Sequence, residues 1–423
     1  MNRKIRMKSL YMYIFIFWYS TEILFNSTVD NILGVSVDNI SNLIAWMVFG
    51  LLMLQIILFQ SYTKRELMII VMITLPIVIA TFLSGNRSLL SAWMFVVAAK
   101  NVDLDDVICV AYKILSIMIP VIAMLCLLGV IENATLMRGT MRRYSLGFSH
   151  PNQLGLRIFQ YIVCHCYVHK NRLGKLNYIL IFLAVLFLIM IPNSKTAYIV
   201  TGILLCILLL FSIVKNQGPG YMKLFEKGLL FGTFCFGLLS IFFSYIDVSR
   251  NSVLERIDKW MSSRFSLCHI VWQLYGVSLL GQKVYISESE RKLVGIKTRL
   301  FLDNAYLGIF LRYGLLVFFI FFIGYLCLIK AMIIRKEYIV AIILFMYALY
   351  GVMESGLYMI SHNIFLITFS SLLYKKWPGT IGKLRNCEKR RVDKFLHSIA
   401  GEVVYRDERR IYTRQRRKQV NSF

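Results

Sequence analysis

Arg157 and Arg312 each interrupt an apolar run, about five and about eight residues inside its polar edge, which at 1.5 Å per residue leaves both in the same half of a bilayer. A guanidinium offers a planar fork of donors that matches phosphate oxygens, and an ionisable group inside an apolar span is costly enough to be a site candidate by default. Two such groups at headgroup depth are what a diphosphate requires. The competing reading is that they pair structurally or face a wet crevice. Glu354, near the end of another apolar run, and Glu22 belong to the same class, whereas Lys113 has the reach to snorkel to the nearer face. Two polar segments add charge to this inventory. Residues 132–152 contain Arg138, Arg142, Arg143 and His150, and residues 247–303 contain nine basic and six acidic side chains.

The elements that must position these groups follow from composition. Hydrophobic residues make up 58% of the 423 positions and charged residues 17%, with 48 Lys and Arg against 22 Asp and Glu. A net charge of +26 in a soluble chain would suggest nucleic acid, but this hydrophobicity excludes a soluble chain, and six prolines exclude a disordered one. Runs of about 20 apolar residues recur, each enough to cross a bilayer as a helix. About twelve are expected, at residues 9–25, 40–60, 67–83, 88–99, 106–130, 152–168, 176–192, 196–214, 228–246, 304–329, 338–355 and 360–374. The expectation is therefore an all-α polytopic membrane protein. Residues 1–246 supply spans one to nine, 247–303 one large extracytoplasmic loop, 304–374 spans ten to twelve, and 375–423 a basic cytoplasmic tail.

Lys and Arg set the orientation. The outer connections at 26–39 and 357–361 carry none, and the tail after Tyr374 carries 15. Both termini are thus expected in the cytoplasm, with MNRKIRMK opening a retained first helix rather than a cleaved signal. The loop between 254 and 279 places Leu254, Ile257, Trp260, Met261, Phe265 and Cys268 between charged positions, a pattern that predicts amphipathic helices on the outer membrane surface. Nearly all of the nine cysteines fall in or at the ends of spans, so no disulfide framework is expected. Cys164, His165, Cys166 and His169 look like metal ligands, but neighbours at i and i+2 point to different helix faces, so no metal or cofactor is expected.

Four segments carry a resemblance. Residues 143–155, RYSLGFSHPNQLG, resemble the motif leading into a mid-chain helix of the bacterial Wzy-type repeat-unit polymerases of capsule, exopolysaccharide and O-antigen assembly. Ser194-Lys195-Thr196 is similar to their Ser-Arg-Thr element. Trp260 to Phe265, with Leu279-Leu280-Gly281 behind, resembles their loop arginine and Leu-Phe-Gly turn. Asp303-Asn304, nine residues, then Gly314 matches the spacing that opens the helix after their large loop. The resemblance covers roughly residues 140–330. Lys195 departs from the arginine usual in that element, and Asp303 stands where the related O-antigen ligases carry a histidine.

The resemblance implies an inverting, metal-independent glycosyltransferase. It would move a growing glycan from undecaprenyl diphosphate onto a new lipid-linked repeat unit at the outer face of the cytoplasmic membrane, among membrane lipids, with a flippase and a chain-length regulator as partners and no role for nucleic acid. In that reading Arg264 and Arg157 bind the donor diphosphate, with Lys195 and Arg312 as further candidates. Asp303 is the first choice on the acceptor side and His150 the second. Arg143, Asn152 and Asn304 complete the substrate-binding set. Structural alternatives stand beside each: Asp303-Asn304 as a helix cap, His150-Pro151-Asn152 as a helix start, Arg264 as a lipid-facing surface residue. Gly281 and Gly314 read as backbone devices. A flippase for the same lipid-linked oligosaccharide and an O-antigen-ligase-like transferase are the competing functions, although no internal repeat of the kind transporters show is evident.

Overall fold

Within an apolar run the backbone N–H and C=O groups must find partners inside the run itself, and the helix is how they do so. The computed structural model, which describes residues 3–29, 31–32, 35–260, 262–286, 291 and 300–374, is accordingly mostly helical. The expected basic tail lies outside the described residues, as do parts of the large loop. Among the described residues nine helices precede that loop: α1 (Arg3–Phe25), α2 (Val37–Leu54, extended by a π-helical turn over Gln55–Phe59), α3 (Lys64–Ser84), α4 (Ser88–Ala98), α5 (Leu104–Leu127), α6 (Pro151–Val168), α7 (Lys175–Met190), α8 (Lys195–Val214) and α9 (Pro219–Tyr245). The loop contains α10 (Ser252–Trp260) and α11 (Arg264–Tyr275). After it come α12 (Ala305–Arg312), α13 (Gly314–Ile334), α14 (Tyr338–Met353) and α15 (Ser370–Leu373).

Six of these are long and apolar enough to cross a membrane: α2 with its π turn, α3, α5, α8, α9 and α13. Their outward faces carry large apolar side chains in the open, such as Phe82 at 85% exposure and Leu224 at 69%, surface that a bilayer solvates and water does not. The apolar helices α4, α7 and α14 are shorter. The short ones are not surplus. Helix α14 is buried nearly all round, and the segment Ser88–Ala98 likewise, which is the environment that an all-apolar helix of modest length requires.

Three departures from the sequence expectation matter for the site. The run 304–329 is not one helix, because the chain breaks at Tyr313 between α12 and α13. The run 360–374 is a 3-10 segment, Ile364–Phe369, followed by the single turn of α15. The chain is also not purely helical: two antiparallel hairpins are present, β1–β2 (Asn31–Ile32 with Val35–Ser36) and β3–β4 (Thr135–Arg138 with Met141–Tyr144).

The break at Tyr313 is filled by main chain. Ser278 and Leu279 carbonyls accept from Leu315 N and Leu316 N at 3.0 and 3.2 Å, and Gln282 N donates to the Arg312 carbonyl at 3.0 Å. Gly281 and Gly314 face each other with φ of +107° and +82°, and a Cβ on Gly314 would stand 2.5 Å from Gly281 N. The loop is therefore stapled to the helix pair by backbone, which exposes no polar group that a side chain would otherwise have to cover.

At one end of the bundle the helix termini are tied by ordinary ion pairs. Lys100 Nζ meets Glu66 at 2.6 Å, and Lys170 Nζ meets Glu337 at 3.1 Å and Asp105 at 3.7 Å. The opposite end is different.

Candidate functional site

At that opposite end six chain breaks converge: the β3–β4 hairpin, the N-termini of α6 and α8, the corner between α10 and α11, the residues entering α12, and the C-terminus of α14. Each break brings a polar side chain for a local reason. Pro151 at the first turn and His150 as cap start α6, with Asn152 N donating to His150 Nδ1 at 3.0 Å. Gly155, one turn further, lets α6 approach α8 so closely that a Cβ there would stand 2.7 Å from Ser194, and this sets Asn152 beside Thr196. The hairpin docks on the turn before α8. Arg143 Nε donates to the Pro192 carbonyl and Arg138 Nη1 to the Asn193 carbonyl, both at 2.9 Å.

The α10–α11 corner places Arg264. Ser262 and Ser263 both take left-handed φ, 67° and 56°, a costly turn for two non-glycine residues. Asp258, only 2% exposed, holds it: its carboxylate accepts from Phe265 N at 2.8 Å, from Ser266 N at 3.3 Å and from the Ser266 hydroxyl. Asp258 thus caps the helix whose first residue is Arg264. Removing the cap by Asp258→Ala is expected to raise hydrogen exchange at the Phe265 and Ser266 amides by about fivefold, the equivalent of a cap worth about 1 kcal/mol. Exchange unchanged from the parent chain would show that the cap does not hold the corner.

The side chains meet around Glu354, which follows the last turn of α14. Its Oε1 accepts from Arg264 Nη2 at 2.9 Å, from Asn152 Nδ2 at 3.3 Å and from the Thr196 hydroxyl at 3.4 Å. Asn152 Oδ1 accepts in turn from Arg143 Nη2 at 2.5 Å. Asp303 stands 4.0 Å from Arg264 Nη2 at the more exposed side of the group. Lys195 Nζ donates to the Trp260 carbonyl at 2.8 Å. Arg138, Asn152, Lys195, Thr196, Trp260 and Arg264 line a small, narrow cleft. The N-termini of α6, α8 and α11 all lie at this cleft, so three helix dipoles add to the positive potential.

Burial and mutual repulsion act on these cations without discharging them. Burial, then the neighbouring Arg138, brings Arg143 down to about 10, well above neutral pH. At Arg264 burial opposes the charge, but Glu354 and Asp303 outweigh it and raise the group above its usual value. Burial, and then Arg143, lowers His150, so its imidazole is neutral at neutral pH. Because Nδ1 accepts the cap bond, the proton sits on Nε2, and His150 presents a donor rather than a base.

Of the residues singled out from sequence, the structure brings together Arg143, His150, Asn152, Lys195, Arg264 and Asp303. It does not bring Arg157, Asn304 or Arg312 into the cleft. Arg157 is fully buried, its Nη1 bonded to Gln160 Oε1 and the Ser361 carbonyl at 2.8 Å each, and Gln160 Nε2 holds the carbonyls of Ser361 and His362. These two residues hold the turn at Ser361 and His362, beyond the short 3-10 helix that follows Glu354. Asn304 caps α12, accepting from Tyr306 N and Leu307 N at 3.0 and 3.1 Å. Arg312 ends that helix, about 12 Å along it, beside the Gly281 turn.

Sequence reasoning gave no role to Arg138, Thr196 or Asp258, and held Glu354 only as one of several ionisable groups in apolar runs. Glu354 did carry a signal, a lone carboxylate closing an apolar run, where an ionisable group has a high cost unless it is used. Among the described residues no group of three His, Cys, Asp or Glu side chains is placed to hold a metal ion. No protein-family model matches the chain, and neither a characterised protein nor a solved structure is significantly similar to it.

Proposed function

We propose that this chain polymerises undecaprenyl-diphosphate-linked oligosaccharide repeat units by metal-independent, inverting glycosyl transfer at the outer face of the cytoplasmic membrane. The observation that carries the reading is the state of Arg264. Among the described residues its Nη1 is buried without a hydrogen-bond partner, while Nη2 is held by Glu354. A buried donor left unpaired costs about 1–3 kcal/mol, and a cleft of cations that tolerates this is suited to an anion.

The charge balance fits the same ligand. Four cations, Arg138, Arg143, Lys195 and Arg264, surround two carboxylates, Glu354 and Asp303, and the excess of two positive charges equals the charge of a diphosphate esterified at both ends. A diphosphate is already a good leaving group, so positioned positive charge is the main thing the transfer requires. The exposed indole of Trp260 at the cleft suits the face of a sugar ring. The lipid tail of the donor has the apolar outer faces of the neighbouring helices beside it.

A twelve-segment topology with both termini in the cytoplasm is part of the same proposal. Alternating the segments from an inside N-terminus puts the hairpin, the α10–α11 corner, Asp303 and Glu354 on the outer side. It puts the Lys100–Glu66 and Lys170–Glu337 pairs on the inner side, and residues assigned to one side are the ones that touch each other.

The reading is tested in a strain that lacks the chain. Single lipid-linked repeats should accumulate at the outer face of the membrane, with polymer restored by the intact gene. Accumulation at the inner face would instead identify a flippase.

A further inference from the structure

Glycosyl transfer to a hydroxyl needs a group to receive the hydroxyl's proton, and two carboxylates stand at the cleft. Asp303 is 44% exposed, 4.0 Å from the guanidinium of Arg264, at the rim. Glu354 keeps only 19% of its side chain exposed and is bonded to three of the residues that line the cleft. All three bonds end on Oε1. One carboxylate oxygen is thereby fixed by Arg264, Asn152 and Thr196, and Oε2 is left for a further donor.

We infer that Glu354 is the catalytic base that takes the acceptor hydroxyl's proton, and that Arg264 joins it to the donor through the two ends of one guanidinium. The inference rests on the polymerase reading above and goes beyond it by naming the base. With Nη1 on the donor diphosphate and Nη2 on Glu354, one side chain fixes the distance between the leaving group and the base, and the anomeric carbon would lie between the leaving oxygen and the acceptor hydroxyl. The acceptor oxygen forms its bond to the anomeric carbon as the bond from that carbon to the phosphate oxygen breaks. The breaking pair goes to the diphosphate, whose added negative charge meets Arg264, Arg143, Arg138 and Lys195. The hydroxyl proton passes to Glu354 Oε2 and then to water.

Arg157 and Gln160 act further along the chain. Their bonds to the Ser361 and His362 carbonyls hold the turn beyond the short 3-10 helix, Ser355–Tyr358, that follows Glu354.

The test uses the full chain in proteoliposomes with purified lipid-linked repeat units and compares Glu354→Gln, Glu354→Asp and Asp303→Asn. Gln keeps an oxygen for Arg264, so the KM for donor should stay near the parent value. The kcat should fall by about 10²- to 10⁴-fold and lose its decline at acid pH. Asp303→Asn should keep that decline. A Gln variant with the parent kcat and pH profile, or an acid decline that disappears in Asp303→Asn instead, overturns the assignment. If the Gln variant does not insert, Glu354→Asp decides: a carboxylate one methylene short should lower kcat about tenfold or more at constant donor KM, and an unchanged kcat overturns the assignment. Parent protein that makes no polymer from lipid-linked repeats removes the functional reading and the base with it. Active parent protein with an unaffected Gln variant removes only the base.

Discussion

Replacing Arg264 by alanine is expected to lower polymer formation by about 10²- to 10³-fold, the cost of deleting one preorganised donor to developing negative charge. The effect has two sources. The diphosphate loses the guanidinium nitrogen that is otherwise unpaired, and Glu354 loses its 2.9 Å ion-pair partner. Arg264→Lys separates the two. A lysine ammonium keeps the charge but cannot fork between two oxygens, so it should hold either Glu354 or the donor, recovering part of the activity with a raised KM for donor. Polymer ladders from each variant, normalised to inserted protein, supply the measurement. Ladders of normal length and amount from Arg264→Ala would exclude any role for this residue at the diphosphate.

The second large effect concerns the fold. Gly314→Ala adds a methyl group where Gly281 N stands 2.5 Å and the Leu279 carbonyl oxygen 2.6 Å away, at a φ of +82°. Both obstacles are backbone, so no side chain can swing aside, and the conformation itself costs about 1–3 kcal/mol for a residue with a Cβ. A loss on the order of 3 kcal/mol or more is expected, read as an earlier thermal transition of the detergent-solubilised chain. Gly281→Ala, 2.6 Å from the Arg312 carbonyl oxygen, attacks the same contact from the other side. The two losses should therefore fall short of additivity when combined. Equal melting curves for parent and Gly314→Ala would mean that the staple contributes nothing.

How much of this was legible in the sequence depends on which coordinate is asked for. Depth was legible, because an apolar run has a length and a charge has a position along it. Azimuth was not. Arg157 and Arg312 share a half of the bilayer by count, yet one points into the packed interior and the other ends α12 beside a turn, and only the packing of neighbouring helices sets that difference. The break at Tyr313 was hidden for another reason. Its hydrogen bonds run from backbone to backbone, and the residues around it remain apolar, so hydropathy passes through it without change. Its two glycines are the only trace in the sequence.

The segment expected to be helical between 254 and 279 holds helices over Ser252–Trp260 and Arg264–Tyr275, but its amphipathic pattern did not foretell which face is covered. Ile257 and Trp260 are exposed and Asp258 is buried, because the carboxylate is needed at the N-terminus of α11. A charged residue inside a helical pattern was thus a clue to a cap, and a cap to the placement of Arg264. Glu354 was visible as an expense without visible partners. Those partners come from residues 152, 196 and 264, separations over which a single sequence gives no pairing information.

The backbone staple at Tyr313 also sets the unit in which this part of the molecule can be exchanged. Residues 276–282, which follow α11, are bonded to the α12–α13 junction as well as among themselves. A chimera that imports only the loop from a related chain would carry its cleft arginine on an unmatched hinge. Transplanted together with the α12–α13 junction, the same loop would arrive with its own register.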